Sequence, residues 1–393
     1  MSDRIFSDAA EMRQTLEILD RLIAFPSVSS ASNLDIVAYI DDFLKSCGFT
    51  VHRVPDETGQ KAGLYASIGP EGAGVMLSAH TDVVPVTGQD WTRDPFRMSQ
   101  SGDKVYGRGT TDMKGYLACV MALASRASHA ALTEPLKIAF SYDEEVGCVG
   151  IRHMIGELER LVGLPRACFV GEPTGMQVAI GHKGKAALRA VCHGQSGHSA
   201  LAPKYLNALH PAVDFVNELN ALQADLVRNG GHDPAYDVPY STIHVGQLSG
   251  GTALNIVPDR AEILFEYRHL AEDRAEDILA AIEQAADRVS AAHRSGSEQR
   301  VIDVEQYNSY PGLAVAKTAQ IVPYAHRLAG SKSAIKVPFG TEAGFFDGLG
   351  IATVVCGPGS MEGQGHKPDE YIEISQLAEC NAMLDRVLKD ISG

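Results

Sequence analysis

Several apolar stretches of the sequence end directly at histidine or carboxylate side chains. His80 follows the stretch Val75–Ala79, Asp143-Glu144-Glu145 follows Leu136–Tyr142, and Glu172 follows Arg166–Val170 after one glycine. Each stretch has the length and apolar character of a buried strand. Ligands of open α/β sheets bind at the carboxyl ends of the strands, so we expect these side chains to meet at one edge of a sheet.

Two further candidates lie in glycine-rich segments. Asp112 follows Gly107-Arg108-Gly109 and precedes a predicted helix over Met113–Ala124. His366 lies in the loop 363–368, after a strand predicted over Ala352–Cys356. Taken alone, Asp112 could cap a helix, His80 at its strand end could be a hydrogen-bonded surface residue, and Asp143-Glu144-Glu145 could be a solvated turn.

Taken together, these residues indicate a metal centre. Adjacent acids that follow a buried strand repel one another unless cations lie nearby. Histidine and carboxylate ligands suit zinc or a similar divalent ion. Two histidines and three ligating carboxylates exceed what one tetrahedral ion with an open position needs. The sequence therefore favours two metals that share one carboxylate.

The elements around these residues predict an α/β fold. Amphipathic stripes predict two N-terminal helices, one ended by Pro26 and the next by Gly48. Strand and helix patterns then alternate, which predicts a mixed sheet sandwiched by helices. The length of 393 residues exceeds what a single core supports, so two domains are expected.

The middle of the chain has a different pattern. It predicts the order strand, helix, two strands, helix, strand, with the elements at Ala186–His193, 207–227, Ser241–Leu248, Ala261–Tyr267, 274–292 and Val301–Tyr307. This order is typical of a small α+β domain with an antiparallel sheet. We expect it at residues 182–308, inserted between catalytic parts at 1–181 and 309–393.

Composition excludes some classes of function. The net charge of −15 argues against nucleic acid as a partner, because phosphate binding needs a basic face. No apolar run is long enough to span a bilayer, and the N-terminal residues lack the apolar core of a secretory signal. The seven scattered cysteines form no CxxC pair. We therefore expect a cytoplasmic protein with reduced thiols and no membrane partner.

Four segments of the sequence resemble the dizinc deacylases and exopeptidases, a family that includes acetylornithine deacetylase, succinyl-diaminopimelate desuccinylase, aminoacylase and glutamate carboxypeptidase. The segments are His80-Thr81-Asp82-Val83-Val84-Pro85, Gly107–Gly115, Asp143-Glu144-Glu145-Val146-Gly147 and Gly171-Glu172-Pro173-Thr174. Together with the histidine of the loop 363–368, they agree with the family in order and spacing over nearly the whole chain.

The resemblance implies a role for each matching residue. Asp112 would bridge two zinc ions, for which cobalt can substitute. His80 and Glu172 would complete one site, and Glu145 and His366 the other. Glu144 would be the general base, and Asp82 would orient the ring of His80. The family also implies a cis peptide bond between Asp112 and Met113.

The inserted domain also resembles a part of this family, its lid and dimerisation domain. Gly194-Gln195-Ser196-Gly197-His198 implies that His198 donates to the oxyanion in the active site of the partner subunit of a homodimer. Gly251–Pro258 implies that Asn255 contacts the substrate. Arg268 would pair with the substrate carboxylate, which suits a guanidinium group.

The expected substrate is a small N-acyl amino acid, and N2-acetyl-L-ornithine is favoured. The segments Gly181–Lys185 and Val337–Gly344 resemble those of acetylornithine deacetylase, and Glu172 favours a deacylase over a peptidase. Glu342 could attract the ornithine ammonium, and backbone N–H groups at Gly357 could bind the α-carboxylate. The alternatives are a desuccinylase, a broader aminoacylase or dipeptidase, and a metal-bound binding protein without catalysis.

Overall fold

The computed structural model describes residues 2–29, 31–294 and 300–393. The contacts divide the chain into two compact units. The first unit contains the chain up to Gly181 together with Ala314–Val337 and Thr341–Gly393, and the second contains His182–Leu313 and Pro338–Gly340. The boundary at residue 308 that the sequence suggests falls inside a strand, Ile302–Tyr310, that belongs to the second unit.

The first unit is built on an eight-stranded mixed sheet. Its strands, in spatial order, are Thr50–Pro55, Ala62–Ile68, Leu136–Ser141, Val75–His80, Ala167–Pro173, Thr353–Gly357, Val178–Ala179 and Ala334–Ile335. The four strands from Leu136–Ser141 to Thr353–Gly357 run parallel, and the first two are antiparallel to their neighbours. These four parallel strands are buried along their whole length, as expected for parallel strands covered on both faces.

Helices cover this sheet. They are Ser2–Ile23, Leu34–Ser46, Gly115–Ala127, Val149–Met154, Leu158–Val162, Ile321–Ala329, Ala343–Gly348 and Ile374–Asp390. Gly115–Ala127 is buried on nearly every side and contacts the first and last of these helices. A small antiparallel sheet of Ser99–Ser101, Lys104–Tyr106 and Tyr371–Glu373 completes the unit. Gly181–His182 and Leu313–Ala314 are short strands at the unit boundaries.

The second unit is a two-layer α+β structure. Its antiparallel sheet has the strands Thr242–Gly250, Arg260–His269, Gly184–His193 and Ile302–Tyr310, in that spatial order. Helices Leu209–Asn229 and Ala275–His293 pack on one face, so burial alternates along Gly184–His193 and Arg260–His269. Their shared core contains Leu188, Phe215 and Phe265. Two shorter strands, Gly197–His198 and Ile256–Val257, pair with each other.

The predicted fold class is confirmed, with a helix-covered mixed sheet and a separate α+β unit. All seven cysteines are free and buried. Within the described residues, no helix has both the length and the apolar character that crossing a membrane requires.

Candidate metal centre and active site

The first group of candidate ligands joins three different segments of the first unit. His80 ends the strand Val75–His80, and Glu172 lies near the end of the strand Ala167–Pro173. His80 Nε2 lies 3.2 Å from Asp112 Oδ1 and 3.7 Å from Glu172 Oε1. All three side chains are buried, and each offers one ligand atom within 4.8 Å of the others.

The second group uses the other oxygen of Asp112. His366 Nε2 lies 3.0 Å from Asp112 Oδ2 and 3.0 Å from Glu145 Oε2. Asp112, Glu145 and His366 again offer ligand atoms within 4.8 Å of one another. One carboxylate thus directs its two oxygens to two groups, which is the arrangement of a ligand that bridges two cations.

The turn that carries Asp112 depends on a glycine. Gly109 adopts a left-handed conformation with φ 86°. A Cβ atom there would lie 2.7 Å from a methyl carbon of Val83, which immediately follows the His80–Asp82 segment. The peptide bond between Asp112 and Met113 is cis, as the resemblance implies.

The close carboxylates of the centre would repel one another without bound cations. Asp112, Glu144, Glu145 and Glu172 bring four carboxylates together. Burial, and then the charge of Asp112, raises the pKa of Glu145 to about 7, and the same two causes raise the pKa of Glu172 well above its usual range. Among the described residues, Glu172 Oε1 has no hydrogen-bond partner. Buried, mutually repelling carboxylates with an unsatisfied oxygen fit two divalent cations.

Asp82 contacts residues of both ligand groups, the His80 ring and the backbone of Glu145. Its carboxylate accepts hydrogen bonds from the backbone N–H groups of Glu144, at 3.1 Å, and Glu145, at 3.3 Å. The second ring nitrogen of His80 lies 3.0 Å from the Asp82 carbonyl oxygen and 3.4 Å from the carboxylate. Asp82 therefore contacts the His80 ring through its second nitrogen, and the Asp82 carbonyl oxygen is nearer to that nitrogen than the carboxylate is.

Glu144 lies beside the centre but belongs to neither ligand group. Its carbonyl accepts hydrogen bonds from Gly147 and Cys148, which close the turn after the strand Leu136–Ser141. The Cys148 thiol also lies 3.3 Å from Glu144 Oε1. Asp143 points the other way and pairs with Lys61 at 2.6 Å. The three acids of this segment therefore have different surroundings. Within the described residues, Asp143 pairs with Lys61 and Glu145 belongs to a ligand group, whereas Glu144 does neither.

Two of the predicted substrate contacts, Gly357 and Glu342, are buried in the first unit. The Gly357 N–H group donates to Thr174 Oγ1 at 3.2 Å, and a Cβ at Gly357 would lie 1.9 Å from the Gly171 carbonyl oxygen. The Gly357 N–H group therefore already has a hydrogen-bond partner within the protein, at the point where the strands Thr353–Gly357 and Ala167–Pro173 pair. Glu342 is only 1% exposed, and burial raises its pKa to about 7. Among the described residues, Glu342 Oε1 has no hydrogen-bond partner, and its contact with a substrate ammonium stays a prediction.

The remaining predicted residues lie in the second unit. The strand pair Gly197–His198 and Ile256–Val257 brings His198 beside Asn255, whose carbonyl accepts the N–H of Ser199 at 3.0 Å. Both residues are exposed. Arg268 lies on the strand Arg260–His269, where its Nε donates to Glu266 at 2.9 Å.

Several residues that support the site are not apparent from the sequence. Lys61 and Ser29 contact Asp143 and Asp82, and Glu370 contacts the segment of Asp112. Each pair is separated by more than 50 residues in the chain, so no local spacing connects its members. The only signal for Arg108 and Glu370 is that each lies within four residues of a candidate ligand.

A buried α/β sheet with histidines and carboxylates from its strand ends and adjoining loops in two adjacent groups is typical of metal-dependent hydrolases. The comparisons with known proteins agree with this class. The family model described as "Peptidase family M20/M25/M40" matches residues 76–390. Acetylornithine deacetylase from Shigella sonnei is 32% identical to the chain over 380 residues, which are 95% of this chain and 96% of that protein.

Solved structures share the fold. The M20 family metallo-carboxypeptidase Sso-CP2 from Sulfolobus solfataricus has a TM-score of 0.76 at 18% identity, covering 96% of this chain and 98% of that one. The aminopeptidase PepT from Bacillus cereus has a TM-score of 0.74 at 21% identity, with 97% and 98% covered. The chain belongs to the peptidase family M20/M25/M40, and it is a metal-dependent hydrolase of amide bonds.

Proposed function

We propose that this enzyme removes the acetyl group of N2-acetyl-L-ornithine and releases L-ornithine and acetate, with two zinc ions that cobalt can replace. The observation that carries the proposal is the pair of ligand groups that share Asp112, with Glu144 beside them. The relative that supports the choice of substrate is the acetylornithine deacetylase of Shigella sonnei. The reduced, buried cysteines favour a cytoplasmic location.

The metal ligands divide into two sets around Asp112. We assign His80 and Glu172 to one cation, and Glu145 and His366 to the other, with Asp112 shared. Two bound divalent cations would supply the Lewis acidity that makes water a nucleophile at neutral pH. Asp82 positions one ligand of each set, because it contacts His80 and the backbone N–H group of Glu145.

Glu144 moves the proton in this reaction. Its carboxylate accepts a proton from the attacking water while a bond forms between the water oxygen and the amide carbon. It then delivers that proton to the nitrogen as the carbon–nitrogen bond breaks, so that the amine leaves neutral. Its place next to the ligand Glu145, outside both ligand groups, supports this assignment.

The second unit supplies further contacts in this proposal. We assign His198 of the partner subunit of a homodimer to the developing oxyanion, Asn255 to the substrate and Arg268 to the substrate carboxylate. His198 and Asn255 are both exposed and lie next to each other, His198 on the strand Gly197–His198 and Asn255 just before its partner strand, which supports a shared role for the two residues. Because Nε of Arg268 already donates to Glu266, its two Nη groups are the donors that this proposal assigns to the substrate carboxylate.

The substrate can be tested by comparing kcat/KM for N2-acetyl-L-ornithine, N-succinyl-diaminopimelate and N-acetyl-L-methionine with added zinc or cobalt. We expect acetylornithine to exceed each of the others by at least about tenfold, which corresponds to about 1.4 kcal/mol in the transition state. N2-acetyl-L-norvaline is the matched control, because it has the same carbon chain without the ammonium group.

The outcomes separate the alternatives. A preference for the succinylated substrate would identify a desuccinylase, and a preference for acetylmethionine would identify a broader aminoacylase. Equal rates on acetylornithine and acetylnorvaline would show that the ammonium is not recognised. If none of these substrates were cleaved in a metal-dependent manner, the deacylase assignment would be wrong.

A further inference from the structure

A buried ion pair lies next to the metal centre and has no part in the mechanism above. Arg108 Nη1 and Glu370 Oε2 are 2.5 Å apart, and both side chains are at most 1% exposed. The two residues are 262 positions apart in the chain. Attraction within such a pair is largely offset by the loss of hydration, so burial of the pair is weak evidence for a role in stability.

The second oxygen of Glu370 contacts the backbone that carries Asp112. Glu370 Oε1 accepts hydrogen bonds from the N–H groups of Thr111, at 2.9 Å, and Asp112, at 3.1 Å. The Glu370 backbone carbonyl accepts a third bond, from Gly107 at 3.0 Å. Glu370 therefore holds the irregular turn that precedes Asp112 from both its side chain and its main chain.

The second Nη group of Arg108 is connected to His366 through Gln89. Arg108 Nη2 donates to Gln89 Oε1, which also accepts a bond from Trp91 Nε1 at 3.0 Å. The amide nitrogen of the same Gln89 donates to the backbone carbonyl of His366 at 3.4 Å. The guanidinium also lies over the Trp91 ring, 5.0 Å from its centroid. These contacts connect the Asp112 turn to the loop of His366.

We propose that Arg108 and Glu370 are positioning residues for the cation centre, where they fix the bridging carboxylate of Asp112 and, through Gln89, the loop of His366. This inference rests on the proposed two-cation function. Asp112 serves both ligand groups, so a small displacement of its turn changes the geometry of both sites at once. Groups that orient metal ligands in this way commonly contribute 10- to 100-fold to metal affinity.

The test uses the full-length protein stripped of metal and titrated with zinc in competition with a chromophoric chelator. Glu370→Asp keeps the charge but withdraws the acceptor by one methylene from the N–H groups of Thr111 and Asp112. We expect it to bind both zinc ions about 10- to 100-fold more weakly than the wild type. Excess zinc should restore kcat, because the ligands themselves are intact.

Glu134→Asp is the matched control. Glu134 pairs with Arg166 at 2.7 Å in the same unit, but this pair is about one third exposed and is not among the contacts of the metal ligands. We expect the control to bind zinc like the wild type. A purely structural role for Glu370 predicts a lower melting temperature of the metal-free protein with unchanged zinc affinity, so this measurement separates the two roles.

A second variant keeps the inference testable if Glu370→Asp does not fold. Gln89→Ala removes the connection to the His366 loop and the acceptor of Arg108 Nη2 and Trp91 Nε1. It leaves the bonds from the Asp112 turn to Glu370 in place, so we expect it to weaken the zinc ion held by Glu145 and His366 more than the other. Folded variants that bind both zinc ions with wild-type affinity would overturn the positioning role. A wild-type protein that binds fewer than two zinc ions would instead overturn the proposed function.

Discussion

Glu144→Gln is expected to retain both cations and to lose turnover by about 10²- to 10⁴-fold, the usual contribution of a positioned acid or base. The glutamine has the same shape, so the turn closed by Gly147 and Cys148 should remain intact. It cannot accept the proton of the attacking water or protonate the leaving nitrogen. Because both steps use this one side chain, its replacement should lower kcat much more than it changes KM.

The adjacent residue provides the control for this prediction. Glu145→Gln changes a member of the second ligand group, so we expect it to lower the zinc content as well as turnover. Zinc per subunit, measured by elemental analysis beside kcat, separates the two variants. Near-full activity of Glu144→Gln would show that another group moves the proton.

Asp112→Ala has the second large effect. Because both ligand groups include Asp112, its loss should weaken the binding of both cations. We expect kcat/KM to fall on the order of 10³-fold or more, which corresponds to a loss of several kcal/mol of transition-state stabilisation. Glu172→Ala removes a ligand from one group only. The comparison of zinc stoichiometry in the two variants therefore tests whether Asp112 is shared.

We expect Asp112→Ala to lose both high-affinity zinc ions and Glu172→Ala to lose one. The circular dichroism spectra of the metal-free proteins serve as the control for folding. Equal loss of one ion in both variants would contradict a bridging role for Asp112.

Much of the fold could be predicted because its central strands are short apolar runs with clear ends. The predicted strands at Val75–Ala79 and Leu136–Tyr142 differ from the observed ones by one residue. The alternation of Ala186–His193 identified a strand covered on one face, which the burial pattern shows. The helix Ile374–Asp390 was not predicted, although Leu377, Leu384 and Val387 form an apolar stripe on its buried side.

Strand order accounts for part of the site, and the family resemblance was needed for Asp112 and His366. His80 and Glu172 follow from the rule that parallel strands deliver their ends to one edge. Their contact with Asp112, and the contact of Asp112 with His366, depend on loops, and nothing in the residue spacing fixes the loop geometry. The surroundings of Gly357 and Glu342 depend on packing between distant strands and helices, which a single sequence does not report.

The pairs that support the centre are likewise tertiary features. Arg108 contacts Glu370 across 262 residues, and Asp82 contacts Glu144 across 62. In the second unit, His198 and Asn255 meet through strands of two residues each, too short for any periodic signal.

Anomalous X-ray scattering at the zinc edge tests most directly whether two cations bind between these five side chains of the first unit. Crystals grown with zinc should show two neighbouring peaks, one among His80, Asp112 and Glu172 and the other among Asp112, Glu145 and His366. A single peak, or strong peaks only elsewhere on the protein, would contradict it.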